Sequence, residues 1–63
     1  MKVRDLLGML RKDGWTLARV RGSHHQFTHP VKPGLVTVAY DRESEDIPVG
    51  IRKSIFRQAG WLT

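Results

Sequence analysis

Apolar residues fall at Val3, Leu6, Leu7 and Leu10, the i, i+3, i+4, i+7 spacing of one helical stripe. Arg4, Asp5, Arg11 and Lys12 occupy the rest of that helix surface. Gly14 ends the pattern, because glycine takes the left-handed position just past a helix at little cost. With Gly14 there, Leu10 and Trp15 stand at the two positions whose side chains meet in a Schellman motif. The same chemistry recurs near the other end of the chain. Ile51, Ile55 and Ala59 form a second stripe, Gly60 is its stop, and Trp61 is placed to fold back on Phe56. Arg-Lys-Asp-Gly-Trp and Arg-Gln-Ala-Gly-Trp are two helix exits rather than a sequence repeat.

Between the helices the period changes to that of strands. Trp15–Val20 and His24–His29 flank Arg21-Gly22-Ser23, and Gly-Ser predicts a two-residue type II′ hairpin with Gly22 as the structural turn residue. Lys32-Pro33-Gly34 fits a type II turn. Leu35–Tyr40 then reads as a third strand with Val36, Val38 and Tyr40 on one face. Asp41–Asp46 is a polar loop, and Pro48 stands near the start of the second helix. The expected fold is α+β: helix, three antiparallel strands, helix, with both helices on one face of the sheet.

The turn fixes a register. It pairs Arg21 with His24, Arg19 with Gln26, and Ala18 with Phe27. Side chains alternate along strands, so Val20, Ala18, His25 and Phe27 are expected on the core face. Arg19, Arg21, His24, Gln26 and Thr28 share the open face. Leu17 does not fit, since the same count puts it on the His24 face. It is then either a small apolar spot or the mark of a bulge.

Sixty-three residues make room for one domain, residues 1–63, with a modest core. Such a chain buries only about 60% of its unfolded surface, so a partner that binds the folded form would help stabilise it. There is no cysteine, hence no disulfide or thiolate metal site. Eleven Lys+Arg against six Asp+Glu give a net charge of +5, which favours a polyanion as partner. Apolar runs are too short for a membrane span or a signal-peptide core, and a soluble cytoplasmic protein is expected.

An exposed histidine between arginines suits RNA strand scission. Attack by a 2′-OH needs a proton taken from the hydroxyl, a proton given to the leaving 5′-oxygen, and cations around the phosphorane. An imidazole, with an ordinary pKa of about 6.5, does either step near neutrality. Arginine clamps phosphate in a bidentate geometry. His24 is the candidate catalytic residue, and Arg19, Arg21, Ser23, Gln26 and Lys32 are the candidate RNA-contacting residues. A second proton-transfer group is needed, and His29, Lys32, Ser23 or a water are open to that role. No metal site is expected. His25 and His29 share a face but lie about 13 Å apart along an extended strand, too far for one zinc ion with bonds of about 2 Å. Trp15 and Trp61 are accounted for by the helix exits rather than by base stacking. Asp41, Glu43, Glu45 and Asp46 lack ordered ligand spacing, and Arg52, Lys53 and Arg57 fit a solvated helix face as well as a phosphate grip.

Several strings together resemble the HicA toxins: Gly14-Trp15, Arg19, Gly22-Ser23-His24-His25 with Phe27, and Ser54-Ile55-Phe56-Arg57-Gln58-Ala59-Gly60. With the opening helix Val3–Leu10, the resemblance covers essentially the whole chain. It implies a fold similar to double-stranded-RNA-binding domains. It also implies a metal-independent mRNA interferase, needing no cofactor, whose essential residue is the first histidine after Gly-Ser, here His24. The partner it implies is a HicB-type antitoxin that covers that histidine. Two places depart from the family pattern. Ala39-Tyr40-Asp41 stands where many members carry Pro-x-His, and Gly50-Ile51-Arg52 where many carry Gly-Thr-Leu. The rival reading is a non-catalytic RNA-binding module using the same basic face. A protein-interacting adaptor is a third, and it predicts no salt-sensitive RNA affinity.

Overall fold

The computed structural model describes residues 1–61 of the chain. Its elements run α1 (Val3–Asp13), β1 (Thr16–Arg21), β2 (His24–Thr28), β3 (Val36–Ala39) and α2 (Val49–Gln58). The α+β order expected from the hydrophobic pattern is thus found. The strands form an antiparallel sheet in the order β1-β2-β3. Val3, Leu6, Leu7 and Leu10 of α1 and Ile55 of α2 join Trp15, Ala59 and the sheet residues Phe27, Val36 and Val38 in one buried cluster. Each fully buried leucine or isoleucine contributes about 1.5–3 kcal/mol, so this one face dominates the stability.

Both helix exits close as the glycine-tryptophan pairs predict. Gly14 has φ +104; its N–H donates to the Arg11 carbonyl at 3.1 Å, and the Trp15 N–H donates to the Leu10 carbonyl at 2.9 Å. That is the paired bonding of a Schellman motif. At the second exit Gly60 has φ +79, and the Trp61 N–H donates to the Phe56 carbonyl at 2.8 Å. The Trp61 ring meets Phe56 edge-on at 5.2 Å.

Three expectations need correction. Ala18 does not pair with Phe27: the register shifts between Leu17 and Arg19, and Leu17 takes the place opposite Phe27. The bulge carries an apolar side chain from the open face to the helix side, which is its physical reason. Val20 and Ala18 are not core residues, because β1 is an edge strand whose six residues are all exposed. Ile51 is 54% exposed, and Ile47, from the loop before α2, is buried in the core instead. Pro48 caps α2. The polar loop Asp41–Asp46 serves α1: the N–H groups of Val3 and Arg4 donate to the carbonyls of Glu45 and Glu43 at 2.9 and 3.0 Å. Helix starts leave such donors unmet, and Lys2 offers no side-chain cap. Among the described residues no helix is long and apolar enough to cross a membrane.

Candidate active site

The turn that presents His24 follows from its glycine. Gly22 has φ +60 and Ser23 does not have a positive φ, so Gly22 is the one positive-φ position of this turn, as type II′ requires. Arg21 pairs with His24 across the turn, and His24 pairs with Ala39 on its other side. The next row on the same face is Arg19–Gln26–Thr37. His24 therefore stands exposed on the middle strand, beside one arginine and one row from another. Thr37 was not singled out from the sequence, although the alternation of Val36, Val38 and Tyr40 already assigns it to this face.

The other histidines are committed elsewhere. The His25 ring lies on the helix side, where its Nδ1–H donates to the Ser23 carbonyl at 2.9 Å and its face stacks on Tyr40 at 3.8 Å. The Tyr40 N–H donates to that same carbonyl at 2.9 Å. The turn is thereby clamped from behind by two donors. Partial burial, with the Glu43 charge second, raises the Tyr40 phenol above its ordinary 10.0, so the ring stays neutral and its OH protonated. His29 accepts the N–H groups of Val31 and Lys32 at Nδ1, both at 3.0 Å, so its proton is on Nε2 and is donated to the Asp13 carbonyl at 2.7 Å. It closes the end of α1. Among the described residues His24 alone of the three imidazoles has no hydrogen-bond partner in the protein.

Lys32 lies apart from this face. Its ammonium donates to Asp13 Oδ2 at 2.6 Å and to the Ala59 carbonyl at 3.0 Å, so it joins the two helix exits. Asp13 Oδ2 also accepts both indole N–H groups, from Trp15 and Trp61, each at 3.0 Å. These bonds, that of Lys32 foremost and then that of Trp61, hold the Asp13 carboxyl below its ordinary 3.8. Nothing in the local sequence signals this hub, since its members come from three separate segments. Ser23 is half-buried in the turn, and Gln26 is half-buried on the open face. The structure therefore gathers Arg19, Arg21, Ser23, His24 and Gln26 at one end of the sheet and sets Lys32 at the helix exits. Among the described residues no three His, Cys, Asp or Glu side chains are gathered to hold a metal.

Residues 3–61 match the family described as HicA toxin of bacterial toxin-antitoxin. The chain belongs to the HicA toxin family. A comparison with curated proteins gave no significant match. A family that forms the toxin half of toxin–antitoxin pairs brings with it an antitoxin partner. One departure from the family pattern also acquires a local meaning. Tyr40, inside the Ala39-Tyr40-Asp41 segment, is the residue that stacks on His25 and holds the Ser23 carbonyl.

Proposed function

We propose that this HicA-family chain is, as a single domain over residues 1–63, a metal-independent endoribonuclease toxin. It acts on messenger RNA in the cytoplasm through His24 and is neutralised by a HicB-type antitoxin. The observation that carries the reading is the isolation of His24: the one imidazole without a protein hydrogen bond among the described residues sits exposed on the open face, opposite Arg21. In the reaction the 2′-oxygen attacks the adjacent phosphorus, the bond from phosphorus to the 5′-oxygen breaks, and a cyclic phosphate and a 5′-OH result. His24 takes the proton from the 2′-OH or gives one to the 5′-oxygen. Arg21 and Arg19 lie along the same strand, where they offset the charge growing on the phosphorane. With His29 and Lys32 bound at the helix exits, the second proton transfer falls to the Ser23 hydroxyl or to a water on the open face.

The test is cleavage of a defined mRNA in EDTA by wild type and His24→Ala, both shown folded by circular dichroism. Wild type is expected to cut and the variant to lose about 10²–10⁴-fold in rate. If neither cuts and both bind RNA equally, the catalytic assignment fails and an RNA-binding module takes its place.

A further inference from the structure

The two edges of the sheet differ. At β3 the outward Thr37 N–H is taken by the Gln58 Oε1 of α2 at 3.0 Å. At β1 no group among the described residues bonds the outer edge of Thr16–Arg21, and all six residues are exposed. An unpaired edge is a template for another strand. The turn directs the Arg21 backbone toward β2, so alternation along the ladder turns the Val20 N–H and C=O outward.

The side chains beside this edge divide into two kinds. On the helix side Leu17 and Val20 are 53% and 51% exposed, next to a groove of about 340 Å³ whose floor is Leu7, Trp15 and Phe27 and whose lining also carries Arg11 and Glu43. On the open side stand Arg19 and Arg21, in the rows of Gln26 and His24. We propose that β1 is the docking edge for an acidic, extended segment of the antitoxin, which adds to the sheet as a fourth strand. The proposal rests on the toxin reading above. Cross-strand neighbours define the segment's pattern: acidic residues opposite Arg19 and Arg21, apolar ones opposite Leu17 and Val20. A second copy of this chain fits poorly, because β1 against β1 brings arginines together and the bulge interrupts the ladder. RNA has phosphates for the arginines but no backbone ladder for the outward Val20 N–H and C=O. The docked carboxylates would occupy the cations that a phosphate needs beside His24, so neutralisation is competitive.

The test uses the purified complex of this toxin with its cognate antitoxin, followed by amide hydrogen exchange and by affinity. Exchange at Val20 is expected to slow on complex formation. Val20→Pro removes the outward N–H at an edge, where proline is tolerated, and Leu17→Glu changes an exposed side chain. Both variants are expected to cleave RNA as wild type does when free and to bind the antitoxin about tenfold more weakly, the equivalent of losing one or two edge contacts. Wild-type affinity in both variants, with Val20 exchanging in the complex as in the free toxin, overturns the proposal. So does protection of Val20 by an RNA oligonucleotide but not by the antitoxin. Affinity and exchange are read without cleavage, so a failure of the His24 assignment and a failure of the docking edge are separable.

Discussion

Gly14 and Gly22 both require a positive φ, at +104 and +60, but an added methyl group meets different surroundings at each. At Gly22 nothing lies within 4 Å of a Cβ, whereas at Gly14 the Cβ falls 2.8 Å from His29 Nε2. Gly22→Ala should therefore cost only the backbone term of holding a side chain at the positive-φ position of a type II′ turn, about 1–3 kcal/mol. Gly14→Ala carries the αL term, about 1–2 kcal/mol, and also drives the His29 ring away. That ring gives up its bond to the Asp13 carbonyl and the two N–H donors it accepts. At about 0.5–1.5 kcal/mol each, with water replacing some, the displacement adds about 1–3 kcal/mol. A chain of 63 residues has about 3–9 kcal/mol in all, so Gly14→Ala removes a large part of it. Urea denaturation of both variants measures the difference, read from midpoints at unchanged slope. Repeating Gly14→Ala in a His29→Ala background isolates the ring's share. If Gly14→Ala costs the same with His29 absent, the account of His29 as the closure of α1 is wrong.

Acid sensitivity should follow Asp13. Its folded-state pKa is depressed, so its contribution is present above the ordinary value of 3.8 and is lost as pH falls through the lower folded value. Denaturation midpoints against pH should be flatter in that acid range for Asp13→Asn than for wild type, and an unchanged slope there would contradict the hub. Lys32 and Arg21 separate structure from binding. In a His24→Ala background, Arg21→Met should lower the salt slope of single-stranded RNA affinity by about 0.7, one phosphate's worth, while Lys32→Met should leave the slope alone and lower stability. A reduced slope for Lys32→Met would return that residue to the RNA surface.

Local chemistry made much of this molecule legible from sequence. The Val3–Leu10 stripe, both glycine-tryptophan exits and the closing pair Arg21–His24 depend on residues a few positions apart, and each is found where the spacing puts it. The bulge at Ala18 announced itself only as a conflict, because strict alternation cannot absorb an extra residue and left Leu17 on the wrong face. Ile51 misled because a helical stripe states which residues share a face, not how far along the helix the core reaches. The fate of His29 and Lys32 was not legible. It is decided by partners at Asp13 and Ala59, brought near only when the helices dock.

The Asp13 carboxylate draws its donors from positions 15, 32 and 61, at separations of 2, 19 and 48 residues. The entropy of closing a loop rises with its length, so the tryptophan nearest in sequence can engage early and Trp61 only once nearly the whole chain is in place. By this argument the three bonds of the hub are expected to close in the order of their sequence separations. The last bond, that of Trp61, is then expected on the native side of the barrier, where weakening an interaction hastens unfolding and leaves the folding rate almost untouched. In a chevron plot, changes at Trp61 should move the unfolding arm, while changes in the hairpin that carries His24 should move the folding arm.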